Sequence, residues 1–264
     1  MISFNYLGKM GQLGNQMFQY AVTKGIAAHH GYEFCVPDHD EIHPDGIGNF
    51  LKIELDKPFT LDCNRGIIEG KDVREPGFEF SQKFFDRCPD NVNLCGFFQT
   101  EKYFKHIEDD IRKDFTFKKK YQDECKEIVE EVFDQDPIAL HIRRGDFLIN
   151  SGNHYNLTLE WYERALRKFD PDREVIIFSD DIFWASAQEL FQPDRFIVSD
   201  GNSSYHDLYM MTQCSDFIIA NSTFSWWGAW LANTGRVIAP SQWFGPNNAH
   251  LNTVDLYPQR WEII

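Results

Sequence analysis

The stretch Asp216-Phe217-Ile218-Ile219-Ala220-Asn221-Ser222-Thr223-Phe224-Ser225-Trp226-Trp227-Gly228-Ala229-Trp230 leaves a bare apolar run through small polar residues and enters an aromatic one. An apolar run of strand length that opens straight onto a helical pattern is half of a βαβ unit. The polar residues at the junction have two readings. Ser and Thr at a helix start satisfy orphan N–H groups as an ordinary cap. The same hydroxyls, with free N–H groups and the positive end of the helix dipole, also make a phosphate cradle.

Pro137-Ile138-Ala139-Leu140-His141-Ile142-Arg143-Arg144-Gly145-Asp146 repeats the form, apolar first and polar at its carboxyl end. Guanidinium is permanently charged and its planar fork matches phosphate oxygens, so Arg143 and Arg144 can grip a diphosphate. Gly145-Asp146 reads as a tight turn that holds a carboxylate near them. Further apolar runs lie at 174–179, 195–199 and 236–240, and helical patterns at 157–169, 182–191, 206–214 and 224–233 separate them. Continuous apolar strands alternating with helices predict a doubly wound parallel sheet, a Rossmann-like domain over 131–264.

Ligands of such sheets sit beyond the carboxyl ends of the strands. Arg143, Arg144, Asp146, Ser179, Asp180, Asp181, Asn221, Ser222, Thr223, Phe224 and Ser225 all fall there, so three motifs converge on one edge. Arginines and hydroxyls suit a diphosphate, whereas a carboxylate such as Asp180 accepts paired N–H donors from guanine or bonds a ribose. His141 shares its strand with Arg143 and either contacts the nucleotide or is a satisfied core imidazole. Residues 1–130 form a second α/β domain with a leading strand over 3–7. There Gly11-Gln12-Leu13-Gly14-Asn15-Gln16 opens a helical pattern over 15–29. Glycines at a helix start let backbone approach a ligand, and they also simply make turns.

Composition narrows the classes. The 264 residues are 42% hydrophobic and carry a net charge of −15, which disfavours nucleic acid as a partner because that binding needs a basic patch. Arg143 and Arg144 are local exceptions in a repulsive field, while Lys118-Lys119-Lys120 reads as a solvated face or hinge. No apolar run approaches a membrane span and no signal segment opens the chain, so a cytoplasmic location is expected. The six cysteines lack metal or disulfide spacing and read as reduced thiols. Asn156-Leu157-Thr158, Asn202-Ser203-Ser204 and Asn221-Ser222-Thr223 match the glycosylation pattern, which carries no meaning in that compartment. Aromatics crowd 78–104 and are core by default, with one or two available as a sugar-stacking platform.

Four blocks together resemble family 11 glycosyltransferases, the α-1,2-fucosyltransferases: Gly11 to Ala21, Gly96-Phe97-Phe98-Gln99-Thr100-Glu101-Lys102-Tyr103-Phe104, His141 to Asp146, and Asn221 to Trp230. The resemblance implies a two-domain GT-B-like fold and GDP-fucose as donor. It further implies inverting, metal-independent transfer to the 2-hydroxyl of a terminal galactose on a glycan, with no cofactor. It makes Gly11, Gly14 and Asn15 candidates for the donor site, with Asn15 facing the donor across a cleft. The resemblance makes 1–130 the acceptor side, and within it the stretch 42–72, which matches none of the blocks, is where acceptor preference is expected. In such a transfer Arg143 and Arg144 stabilise charge on the leaving diphosphate. Asp146 is either the base for the acceptor hydroxyl or an ion-pair partner that orients an arginine, with His154 and Glu160 as reserve bases. Asp134-Gln135-Asp136 and Asp170-Pro171-Asp172 could serve a metal-dependent transferase, but both precede strands and read as turns. A non-catalytic GDP-sugar sensor is the remaining alternative.

Overall fold

The computed structural model describes residues 1–132, 136–200 and 203–264. The chain divides into two compact units, the first from Met1–Thr116 and Leu251–Pro258, the second from Phe117–His250 and Gln259–Ile264.

The first unit runs β1 (Ile2–Ser3), α1 (Leu13–His30), β2 (Phe34–Val36), β3 (His43–Pro44), β4 (Phe50–Leu51), β5 (Asn64–Arg65), β6 (Lys71–Arg74), α2 (Gln82–Arg87), β7 (Val92–Cys95) and α3 (Glu108–Asp114). Its sheet is wholly parallel in the order β5-β2-β1-β7-β6, with β3 and β4 as a separate antiparallel pair. The leading strand is shorter than the expected 3–7. Asn5 gives its N–H to the Asn93 side chain at 2.7 Å, and Leu7 bonds back to the Phe4 carbonyl in a turn. Helix α1 buries most of its length because its residues are apolar or, like Gln16 and Gln19, spend their amides on the preceding loop. It stops at Gly31, which takes the left-handed conformation (φ 69°) that glycine adopts without strain and bonds back to the last turn.

The second unit runs α4 (Lys119–Val132), β8 (Ile138–Ile142), α5 (Gly145–Ile149), α6 (Leu159–Leu166), β9 (Val175–Ser179), α7 (Ile182–Ser186), β10 (Phe196–Val198), α8 (Ser204–Met211), β11 (Asp216–Ile218), α9 (Thr223–Ala232), β12 (Val237–Ala239) and β13 (Glu262–Ile263). All its strands are parallel, in the order β10-β9-β8-β11-β12-β13. Counted from β8 this is the 3-2-1-4-5-6 order of a doubly wound dinucleotide-type sheet. Both faces are covered, so Ile138, Leu140, Val175, Ile177, Ile218 and Ile238 form one buried cluster with Trp161, Tyr162 and Phe191. On α9, Trp226, Trp227 and Trp230 are fully buried.

The division between units falls at Thr116, ahead of the boundary near 130 read from the sequence. The segment leading into α4 packs with the second unit through Phe117 on Tyr209, and α4 itself through Tyr121 on Tyr205 and His206. The return of 251–258 to the first unit is fixed by Asp255, whose carboxylate takes the Phe80 N–H at 3.0 Å and pairs with Lys102. Gly145-Asp146 is not a turn; it begins α5, with Arg144 at the N-cap position. Asp134 and Asn202 lie outside the described residues. All six cysteines are free, and among the described residues no helix is long and apolar enough to cross a membrane.

Candidate active site

In the second unit the strand order reverses between β8 and β11, which sends the chain to opposite sides and opens a crevice at their carboxyl ends. Arg143 and Arg144 follow β8, and Asn221, Ser222 and Thr223 lead from β11 into α9, so the two motifs flank that reversal. Ser179, Asp180 and Asp181 close β9 beside them.

The arginines are held, not loose. Arg143 lies between two carboxylates, with Nη2 donating to Asp146 Oδ1 at 2.6 Å and Nη1 3.1 Å from Asp180 Oδ2, and its Cζ is 5.3 Å from the Phe147 ring centroid. Arg144 donates its backbone N–H to Asp180 Oδ1 at 2.8 Å and its Nε to Asp181 Oδ2 at 3.2 Å. Its guanidinium sits 3.8 Å over Trp184. A guanidinium has five N–H donors in a rigid fork, and a bracket of this kind fixes the direction in which that fork points. Burial pushes the Asp180 carboxyl above its ordinary value, against the pull of Arg143 and of the Arg144 N–H. Gly145 is required by the same packing, since a Cβ there would come 2.6 Å from Asp180 Oδ2. Asp181 also caps α7 by accepting the Trp184 N–H at 3.1 Å, and Ser179 Oγ takes the Asp181 N–H at 3.0 Å. Ser179, Asp180 and Asp181 therefore serve as the arginines' scaffold.

The α9 end is similarly committed. Asn221 is 3% exposed and donates both amide hydrogens, to the Tyr155 and Trp243 carbonyls at 2.8 Å each, which pins two loops to the end of β11. Ser222 caps the helix by accepting the Phe224 N–H at 3.3 Å. Buried Ser225 meets His141 Nδ1 at 2.9 Å. His141 is itself 5% exposed, and burial together with the Arg143 charge pushes it down to about 3, so it is neutral at ordinary pH. This is the placement of a core imidazole tying β8 to α9. Thr223 and Phe224 are the half-buried members of the first turn and the ones that face outward there.

Among the reserve bases, His154 stacks on Phe147 at 4.0 Å within the field of Asp146 and Arg143, and burial lowers it. Glu160 is fully exposed and bonded to Thr158, apart from the cluster. The candidate metal carboxylates sit at the amino ends of strands: Asp136 accepts from Ser215 Oγ at 3.0 Å before β8, and Asp170 accepts the Asp172 N–H at 2.9 Å before β9. Phe147 and Trp184 were not singled out from the sequence. The available signal was their position, each one turn after an arginine or its cap.

In the first unit Gly11 takes φ 88°, and a Cβ there would overlap the Asn15 side chain. Gly14 is buried in the first turn of α1, and Asn15 Oδ1 accepts from Gln99 Nε2 at 2.7 Å. These three form a group of their own within that unit.

The pattern defining glycosyl transferase family 11 matches residues 4–264. An alpha-1,2-colitosyltransferase of Escherichia coli is 30% identical, over 95% of each chain. A galactoside alpha-(1,2)-fucosyltransferase 1 of Alouatta caraya is 24% identical over 86% of this chain, and the chain spans only 65% of that enzyme's length. Among solved structures, a NodZ alpha-1,6-fucosyltransferase soaked with GDP-fucose superposes with a TM-score of 0.53 at 14% identity, covering 95% of this chain and 97% of the other. The fold is thus of the GT-B type.

Proposed function

The chain belongs to glycosyl transferase family 11, and from that premise we propose that it transfers L-fucose from GDP-β-L-fucose to the 2-hydroxyl of a terminal galactose, inverting the anomeric carbon and using no metal. The observation that carries this reading is the pair of bracketed arginines beside the start of α9, at the reversal of a parallel sheet. In the transfer the acceptor oxygen attacks the sugar C1 as the C1–phosphate oxygen bond breaks. The bonding pair and its charge go to GDP, where Arg143, Arg144 and the α9 N-terminus stabilise them. The acceptor proton must leave as well. Asp146 is bonded to Arg143, which supports a positioning role for it over that of base.

The colitosyltransferase relative favours one variant on the donor side. Colitose is L-fucose without its 3-hydroxyl, so the two donors differ by a single polar group. Incubating the protein with GDP-fucose or the 3-deoxy donor and a panel of galactosides, followed by linkage analysis, tests the proposal. An α-1,2-linked product is expected. GDP release that no galactoside accelerates would overturn it.

A further inference from the structure

The first unit has a switch point of its own. Its sheet order reverses between β1 and β7, so the carboxyl ends of those strands frame a crevice of the kind that takes ligands. Three features meet at that edge. Glu75 follows directly on β6, keeps the ladder by bonding its N–H to the Cys95 carbonyl at 2.9 Å, and turns its carboxylate onto the 96–98 backbone. There Oε2 takes the Phe97 N–H at 2.9 Å, and Gly96 leaves room for it, since a Cβ would come 2.7 Å from that oxygen. Phe98 is left-handed (φ 50°), which bends the chain into Gln99. Gln99 is 7% exposed and gives its Nε2 to Asn15.

Both side chains leave an acceptor unused. Glu75 Oε1 and Gln99 Oε1 are buried without a hydrogen-bond partner. Two unpaired buried acceptors at one sheet edge are unfavourable unless a donor arrives. The donor they await is neutral. An anionic diphosphate would meet the carboxylates of Glu75 and Glu79 with repulsion, while sugar hydroxyls supply O–H groups without charge. Phe97, 39% exposed on the same turn, offers an apolar surface for the face of a pyranose.

We propose that Glu75 and Gln99 form the subsite in the first unit that receives hydroxyls of the acceptor galactoside. This rests on the fucosyl-transfer reading for the identity of the sugar. Burial holds the Glu75 carboxyl up to about 7, with Glu79 adding to it, against the pull of the Phe98 and Phe97 N–H groups. Its neighbours Cys95 and Tyr103 are also titratable, and both are pushed upward by burial.

The test is ligand-observed NMR titration of methyl β-D-galactopyranoside and its monodeoxy analogues into the intact protein with GDP present. Parent, Glu75→Gln and Gln99→Met are compared. Glu75→Gln keeps a carbonyl for the Phe97 N–H but places an NH2 donor where the open oxygen was. Galactoside affinity should fall at least tenfold in each variant, with GDP affinity unchanged within twofold in Glu75→Gln. One monodeoxy analogue should bind the parent poorly yet lose nothing further on Glu75→Gln. Galactoside binding within twofold of the parent in both variants overturns the subsite, as does a folded parent that binds GDP and no galactoside. A parent that binds no GDP sinks the donor reading, and the galactoside titrations still decide the subsite.

Discussion

Arg143 carries its charge between Asp146 and Asp180, and that placement determines what substitution there should do. Arg143→Lys keeps the charge but a point ammonium spans neither the two carboxylates nor two phosphate oxygens. A loss of about 2–4 kcal/mol in transition-state stabilisation is expected, read as kcat/KM with GDP-fucose; a change under about twofold, roughly 0.4 kcal/mol, would remove Arg143 from the donor site. Asp146→Asn weakens the same bracket, so GDP affinity and kcat should drop together and the pH–rate profile keep its shape. A fall in kcat alone, with loss of the acidic limb, would restore Asp146 as base. His141 supplies a stability prediction. Its folded value, about 3, lies below the ordinary 6.5, so the unfolded chain binds a proton that the folded one refuses. Stability is therefore full above 6.5 and is lost as pH falls toward 3, by about 1.4 kcal/mol per unit. His141→Gln should lose about 2 kcal/mol less than the parent between pH 7 and pH 5 in urea unfolding. Glu75 and Asp207, both raised, titrate in the opposite sense but alike in both proteins and cancel in the difference.

At the level of elements, the strands were legible because burial on both faces leaves only apolar residues to read, as in Ile138–Ile142 and Val175–Ser179. Helix α9 was legible from Ser222 as cap and the tryptophans behind it. Two elements were not. Helix α5 begins with Gly145-Asp146, a pair with turn chemistry, and is helical because Asp180 leaves no room for a side chain at 145 and Asp146 must reach Arg143. Strand β13, two residues long, exists only through its pairing with β12. Nor could local pattern pair Arg143 with Asp180 or Arg144 with Asp181, partners far apart in sequence, so the sequence placed these groups at one sheet edge without saying which of them hold the arginines. Packing of α1 yields a further prediction. Gly25 lies against backbone, and a Cβ there would overlap the Tyr103 carbonyl oxygen and come 2.9 Å from Phe104 Cα. Ala normally gains about 1 kcal/mol over Gly inside a helix. Here overpacking against a rigid backbone, about 1–3 kcal/mol, outweighs that gain, and Gly25→Ala should lower Tm. A raised Tm would show that α1 can shift away from that turn.

Across the whole molecule, both units are built on parallel sheets, and a parallel sheet assigns chemistry to one edge. The carboxyl edge of the second unit gathers Arg143, Arg144 and the α9 N-terminus; the amino edge carries Asp136, Asp170 and Asp172 as turn-forming groups bonded to Ser215 and to backbone. A divalent ion serving a diphosphate would have to sit on the ligand edge. The carboxylates available there, Asp146, Asp180 and Asp181, are each engaged by an arginine, so a metal would compete with the guanidiniums it is meant to assist. A chain with a net charge of −15 repels an anionic donor at long range, and fixed cations at the point of contact are what offset that repulsion once screening limits the rest to about 10 Å. Turnover of GDP-fucose should accordingly be unchanged in millimolar EDTA, and added Mg²⁺ or Mn²⁺ should not raise it. A rate that collapses with chelator and returns with either ion would transfer charge stabilisation from Arg143 and Arg144 to a metal, and the carboxylates that now hold the arginines would have to release them to bind it.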